Sequence, residues 1–350
     1  MADLDFTQKR NALRIIAALT CTKLGDVLIN PKTMLTWLLT QMGVGGALVS
    51  LLVPIRESGS MLPQLFVSGW IKRSALRKRV FVAGSLVEAV AVAVMGASAL
   101  WLPPEVAGVV VVFGVAVLAT ARSFCSISGR DVMGKTIPRG FRGRVGGASA
   151  TVSGIIATVA ALALIVMKEE AGVRVIAGVV MTASLLWFIA GWIFSRVEEP
   201  EGVAQVDTSG IRGRFSLIRD DARFRKFIVA RVLLLGSALA SPLMVVLAGQ
   251  SGGSMLTLGA FVIAAGVATT SSSFMWGRLS DRASHLAMAL GGFTAACVGG
   301  LAWWLGWSSP QWAAHPLVWP LLFLLFNVGY AGVRLGRTTW VVDAAEGDDR

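Results

Sequence analysis

The chain of 350 residues is 55% hydrophobic and 15% charged, with a mean hydropathy of +0.70. Too few polar side chains are present to cover a soluble globule of this length, which excludes that class. The net charge of +12 gathers at the ends of apolar runs, the pattern that positive-inside orientation produces by itself, so it does not point to nucleic acid.

Taken in order, the apolar runs predict ten membrane-spanning helices over residues 15–38, 44–71, 80–102, 106–128, 146–167, 173–195, 226–248, 255–276, 284–307 and 317–336. The fold class is therefore all-α, a polytopic transmembrane helical bundle in contact with the lipid bilayer. No small-residue cleavage site follows the polar N-terminus, Met1 to Arg14, so the first run is expected to remain as a span. Neither end carries a lipidation motif.

Lys and Arg fall in alternate connections. One set holds Lys9, Arg10 and Arg14, then Lys72, Arg73, Arg77, Lys78 and Arg79, then Lys135, Arg139, Arg142 and Arg144, then Arg278 and Arg282. The loops 101–106, 249–254 and 307–316 contain neither residue, while 168–174 carries both signs of charge. This asymmetry predicts a multi-pass protein of the plasma (inner) membrane with both termini in the cytoplasm.

Residues 196–225 are the longest hydrophilic stretch, acidic at Glu198, Glu199 and Glu201, and Ser216 to Lys226 predicts an amphipathic helix on the membrane surface. The expected organisation is a six-helix N-terminal half over 1–195, a cytoplasmic central loop over 196–225 and a four-helix C-terminal half over 226–350. Arg122 precedes Asp131 by nine residues and Arg334 precedes Asp343 by nine, an echo of the kind that parallel repeats leave.

Charged side chains inside a span are costly to insert, so those present mark a cavity or an ion path. In the first span Lys23, Asp26, Asn30 and Thr33 share one helical stripe. At about 1.5 Å of rise per residue, Asp26 and Arg56 of the second span lie at the same depth, near the midplane, with Lys23, Glu57 and Glu88 slightly nearer the cytoplasm. Arg56 is expected to pair with Asp26, and Lys23 with Glu57 or Glu88. One of these carboxylates is expected to exchange a proton, and Glu57 is preferred because Ser58, Gly59 and Ser60 leave room for water beside it. The alternative is a permanently paired network that only orients helices. Pro54 and Gly59 are placed to loosen the second span next to these charges.

The second part offers less. Thr269 to Ser273 either lines a cavity or bonds its own backbone, and Arg231 is expected to snorkel. His285 and His315 make no metal or catalytic arrangement, and Cys21, Cys125 and Cys297 lack metal-ligand spacing, so no metal ligands, catalytic residues or cofactor are predicted. Tryptophans near span ends, such as Trp70, Trp101, Trp307 and Trp312, suit interface anchors.

After the eighth span the chain reads Gly277, Arg278, Leu279, Ser280, Asp281, Arg282, which resembles the G-x-L-x-D-R loop of the major facilitator superfamily. In that family the loop follows the second helix of each half, caps a helix end and helps latch one alternating state. The resemblance therefore implies a gating loop at Gly277, Asp281 and Arg282, with Arg122 and Asp131 at the matching end of the fourth span. The first-half copy departs from the pattern, with Arg73 where an acidic residue is expected. Gly129, Arg130, Asp131, Gly134, Lys135, Pro138, Arg139, Arg142, Gly143 and Arg144 also resemble the family's basic loop between its fourth and fifth helices. The family is usually built as six plus six helices, so this chain is expected to be either a ten-helix variant or a twelve-helix protein lacking its last hairpin.

The leading functional expectation is a secondary active transporter, a permease of the symporter or antiporter type, moving a small-molecule solute by alternating access and coupled to protons. No G-x-x-x-x-G-K-[ST] loop is present to bind ATP. Coupling is expected at Glu57 and Asp26, with Arg56 and Lys23 as charge partners and Glu88 beside them. Two alternatives stand: an intramembrane lipid-modifying enzyme, which would need a surface cluster of carboxylates or histidines, and a non-transporting membrane protein if the last hairpin is missing.

Overall fold

The computed structural model describes residues 5–59, 74–138, 141–166, 172–201, 225–226, 228–230, 233–234, 240–252, 254–308, 312 and 315–347. Its helices are α1 (Phe6–Leu28), α2 (Met34–Gln41), α3 (Gly46–Gly59), α4 (Arg77–Trp101), α5 (Pro104–Thr136), α6 (Arg142–Val166), α7 (Gly172–Ser195), α8 (Ala240–Gln250), α9 (Met255–Arg282), α10 (Ser284–Ser308) and α11 (Val318–Gly347). Among the described residues there is no strand. Six stretches there are long and apolar enough to cross a membrane: α4, α5, Arg144–Ala163 of α6, α7, α10 and Val318–Arg337 of α11. Packing divides the chain into two units, Met1–Val159 with Ala171–Ser216, and Ala160–Glu170 with Leu217–Arg350.

In the first unit α4 packs between α5 and α7, α1 lies along α7, and α3 lies along α5. Small residues permit these approaches, since helices in an apolar medium gain from close van der Waals contact rather than from expelling water. A Cβ on Gly84 would sit 2.5 Å from Cys125 Sγ, and one on Gly96 would sit 2.6 Å from the backbone of Met181. At one end of the unit the Phe81 and Phe194 rings stack with centroids 3.8 Å apart, above a cluster that includes Ile15, Val132 and Val145.

The predicted first span is broken. α1 ends at Leu28 and α2 starts at Met34, because Pro31 has no N–H to continue the ladder. The freed groups are satisfied locally: Lys32 N–H donates to Asn30 Oδ1 at 2.9 Å, and Thr36 Oγ1 donates to the Pro31 carbonyl at 2.6 Å. The predicted fourth span is too short. α5 continues to Thr136, so Gly129 to Lys135 are helical and the connection to α6 is only a few residues. The eighth-span signature is likewise helical to Arg282, and Ala283 alone separates α9 from α10. A polar helix end projecting past an apolar run has no hydrophobic signal to mark where it stops.

In the second unit α11 packs against α9, α10 and α8. Glycines again set the spacing, with a Cβ on Gly291 falling 2.6 Å from the Gly329 carbonyl and one on Gly336 falling 2.6 Å from the Ser284 carbonyl. Trp276 Nε1 donates to the Val328 carbonyl at 2.7 Å, tying α9 to α11. The hydroxyls of Thr269 and Ser271 donate to carbonyls four residues earlier at 2.8 Å, so these two bond their own backbone. The predicted surface helix falls largely on residues 216–224, and Gly69 to Arg73 and Arg231 also lie outside the described residues.

Candidate functional site

The charges gather in the first unit around one carboxylate. Asp26, one residue beyond Gly25, stands in the last turn of α1 before the break. Gly25 is needed there because the Trp187 ring of α7 occupies the space a side chain would take: a Cβ would meet Trp187 Cη2 at 2.5 Å. Arg56 Nη2 of α3 donates to Asp26 Oδ1 at 2.9 Å, and Arg122 Nη2 of α5 donates to Oδ2. One carboxylate thus takes two guanidiniums, an oxygen to each, with the side chains of Asp26, Arg56 and Arg122 27%, 19% and 21% exposed.

Arg122 also faces Glu88 of α4, with Nη1 3.7 Å from Oε1. That is an ion pair without a hydrogen bond, and Oε1 accepts none. The Glu88 side chain has no exposure, and the Cys125 thiol approaches its other oxygen at 3.6 Å. Cys125 also lies 3.5 Å from the Phe81 carbonyl and 3.8 Å from Ser85 Oγ, so its single proton is divided among several acceptors.

The Asp26–Arg56 pair therefore forms as predicted from equal depth. Lys23 is different: its Nζ donates to Ser149 Oγ at 2.7 Å and to the Gly146 carbonyl at 3.0 Å, both on α6, not to Glu57 or Glu88. Glu57 of α3 instead pairs at 3.3 Å with Lys32, which lies in the break between α1 and α2. Pairing by depth failed because an ammonium chooses its partner by the direction its stripe faces, and Lys23 faces α6.

Arg122, expected at the gating end of the fourth span, lies within α5. It stands about 27 Å along α5 from Pro104, and the helix runs on past it to Thr136. Asp131, about two and a half turns beyond, accepts from Arg77 Nη1 at 2.9 Å at the start of α4. Gly277 and Arg282 lie on the last turns of α9, and the side chains of Asp281 and Asp343 are outside the described residues.

Glu199, just after α7, was legible only as loop acidity. Its buried carboxylate accepts the Arg77 N–H at 3.2 Å and the Lys78 N–H at 2.8 Å, capping α4, and pairs with Lys135 Nζ at 2.8 Å. Next to it Glu198 takes Arg10 and Arg14 of α1, and Asn11 exchanges two bonds of 3.0 Å with the Glu198 backbone. Hydrogen bonding from Arg10 and then the charges of Arg10 and Arg14 hold the Glu198 carboxyl below the usual range. The start of the predicted central loop is thus fastened to three helix ends of the first unit.

Arg122, Lys32, Cys125 and Ser149 were missed as partners. The signal for Arg122 was its position inside an apolar run, where a charge is expensive to keep. Among the described residues no His, Cys, Asp and Glu cluster could hold a metal ion.

The Major Facilitator Superfamily model matches residues 17–350. No curated protein sequence matches the chain. Among solved structures, the chain is similar to a D-xylose-proton symporter at 14% identity and a TM-score of 0.57, covering 94% of this chain and 81% of that one. It is also similar to a bacterial homologue of the iron transporter ferroportin, inward-facing at 14% identity and TM-score 0.56, and outward-facing at 16% and 0.52. Both comparisons cover 96% of this chain and 84% of the other. At these identities the likeness is one of fold.

Proposed function

The chain belongs to the major facilitator superfamily, and from that premise we propose that it is a secondary active transporter that couples a small solute to protons by alternating access. The family and the fold make it a multi-pass integral membrane protein and a transporter rather than an enzyme. The finer proposal concerns coupling. It rests on one observation: Glu88, with no exposure and no hydrogen bond at Oε1, sits 3.7 Å from an arginine that is itself bound to Asp26.

A proton gained by Glu88 alters the charge opposite Arg122 without breaking a hydrogen bond at Oε1, so Arg122 and Asp26 feel the change directly. Arg122 faces Glu88 and is itself bound to Asp26, which also takes Arg56, and the Cys125 thiol lies against Oε2. Glu57, ion-paired with Lys32 and 25% exposed, is less suited to the role, so the proton-carrying function is assigned to Glu88. The break between α1 and α2 beside Asp26 supports a solute site there, since interrupted spans line the binding sites of many transporters.

The proposed layout keeps a six-helix half over 1–195 and a second half over 226–350, joined by 196–225, with both termini on the cytoplasmic side of the plasma (inner) membrane. Loop charge asymmetry supports it.

The test uses the full chain in vesicles loaded with a pH-sensitive dye. Solutes that drive proton movement in the wild type should drive none in Glu88→Gln, while solute exchange without a gradient persists. Equal proton flux in both proteins would remove Glu88 from the mechanism.

A further inference from the structure

The charges around Asp26 do not balance. Among the described residues, α1 to α6 and the break bring together the cations Lys23, Lys32, Arg56 and Arg122 and the acids Asp26, Glu57 and Glu88. Asp26 is opposed by two arginines, and Lys32 and Glu57 oppose one another. Lys23 is held by the neutral oxygens of Ser149 and Gly146. An ammonium has three N–H donors, and these two acceptors use two of them. Among the described residues one donor and one unit of positive charge remain, in a region where an uncompensated charge is costly.

We propose that the transported solute is a small organic anion with a single carboxylate-type charge, bound by Lys23 beside the Asp26–Arg122 pair. This rests on the transporter function proposed above. A neutral solute would leave the excess charge in place, and a cation would increase it. Arg56 and Arg122 each donate a single bond from Nη2 to a different oxygen of Asp26, so the cluster already holds one carboxylate between cationic donors. A proton on Glu88 would raise the excess from one charge to two, so proton and anion favour each other's binding, which is symport.

The experiment measures ligand-induced stabilisation of the purified full chain by lactate, benzoate and gluconate, by lactamide, benzamide and glucose, and by benzylamine. Stabilisation by at least one carboxylate and by none of the neutral compounds or the amine is expected, strengthening as pH falls. Lys23→Gln should weaken that binding at least about thirtyfold, and Lys23→Arg should recover most of it. If Lys23→Gln does not fold, Ser149→Ala, which keeps the charge but removes the hydroxyl that aims the Lys23 ammonium, should weaken it about fivefold. Equal response to acid and amide, response only to the amine, or no response across the panel overturns the proposal. Counterflow in vesicles separates the two claims. A neutral solute that exchanges leaves the transporter standing and the anion refuted. A carboxylate that binds while nothing in the panel exchanges refutes the transporter and, with it, the transported anion, leaving only a carboxylate site.

Discussion

Replacing Asp26 with Asn removes the charge that two arginines share. Each arginine contact is a charge-assisted hydrogen bond, a class worth about 1.5–3 kcal/mol. The three side chains are 19–27% exposed, so the lower end applies to each. Asn retains one acceptor oxygen, and the two bonds are not independent, which places the expected loss at about 2–3 kcal/mol. The informative measurement is a double-mutant cycle, Asp26→Asn with Arg122→Gln, by denaturant unfolding in detergent followed through tryptophan fluorescence. A coupling of about 1.5 kcal/mol is expected, above the roughly 0.6 kcal/mol typical of hydrogen bonds between membrane helices. Coupling below about 0.5 kcal/mol would mean that the pair is additive, and the argument that Asp26 organises the cluster would fail.

Gly25→Ala should destabilise the protein by about 1–3 kcal/mol in the same unfolding assay, because its Cβ would lie 2.5 Å from the buried Trp187 ring; an unchanged midpoint would show that the ring moves freely. Glu199→Ala should cost more stability than Glu199→Gln, since Ala strands both the Arg77 and Lys78 N–H groups at about 1–2 kcal/mol each while Gln keeps one oxygen that accepts from one of them; equal losses would argue against capping. Glu198 is held below the carboxylate range in the folded chain, so it binds a proton more readily unfolded. Its contribution is complete above its ordinary value of 4.5 and is lost as pH falls further. The thermal midpoint difference between wild type and Glu198→Gln should therefore be constant from pH 7 to about 5.5 and close in more acidic buffer; a gap that persists there would remove the arginine contacts as its source.

Depth along a helix is written in the sequence, because each residue adds a fixed rise. Counting placed Asp26 level with Arg56, and the two are bonded. Apolar runs likewise marked α4, α7 and α10 within a few residues of their ends. Direction around the helix axis is not written there, because it depends on which helices lie alongside. Lys23 turned to α6, Glu57 to Lys32, and Arg122, from within α5, to Asp26. Hydrophobicity announces where a helix is buried in lipid, and only the packed neighbours decide which charges meet.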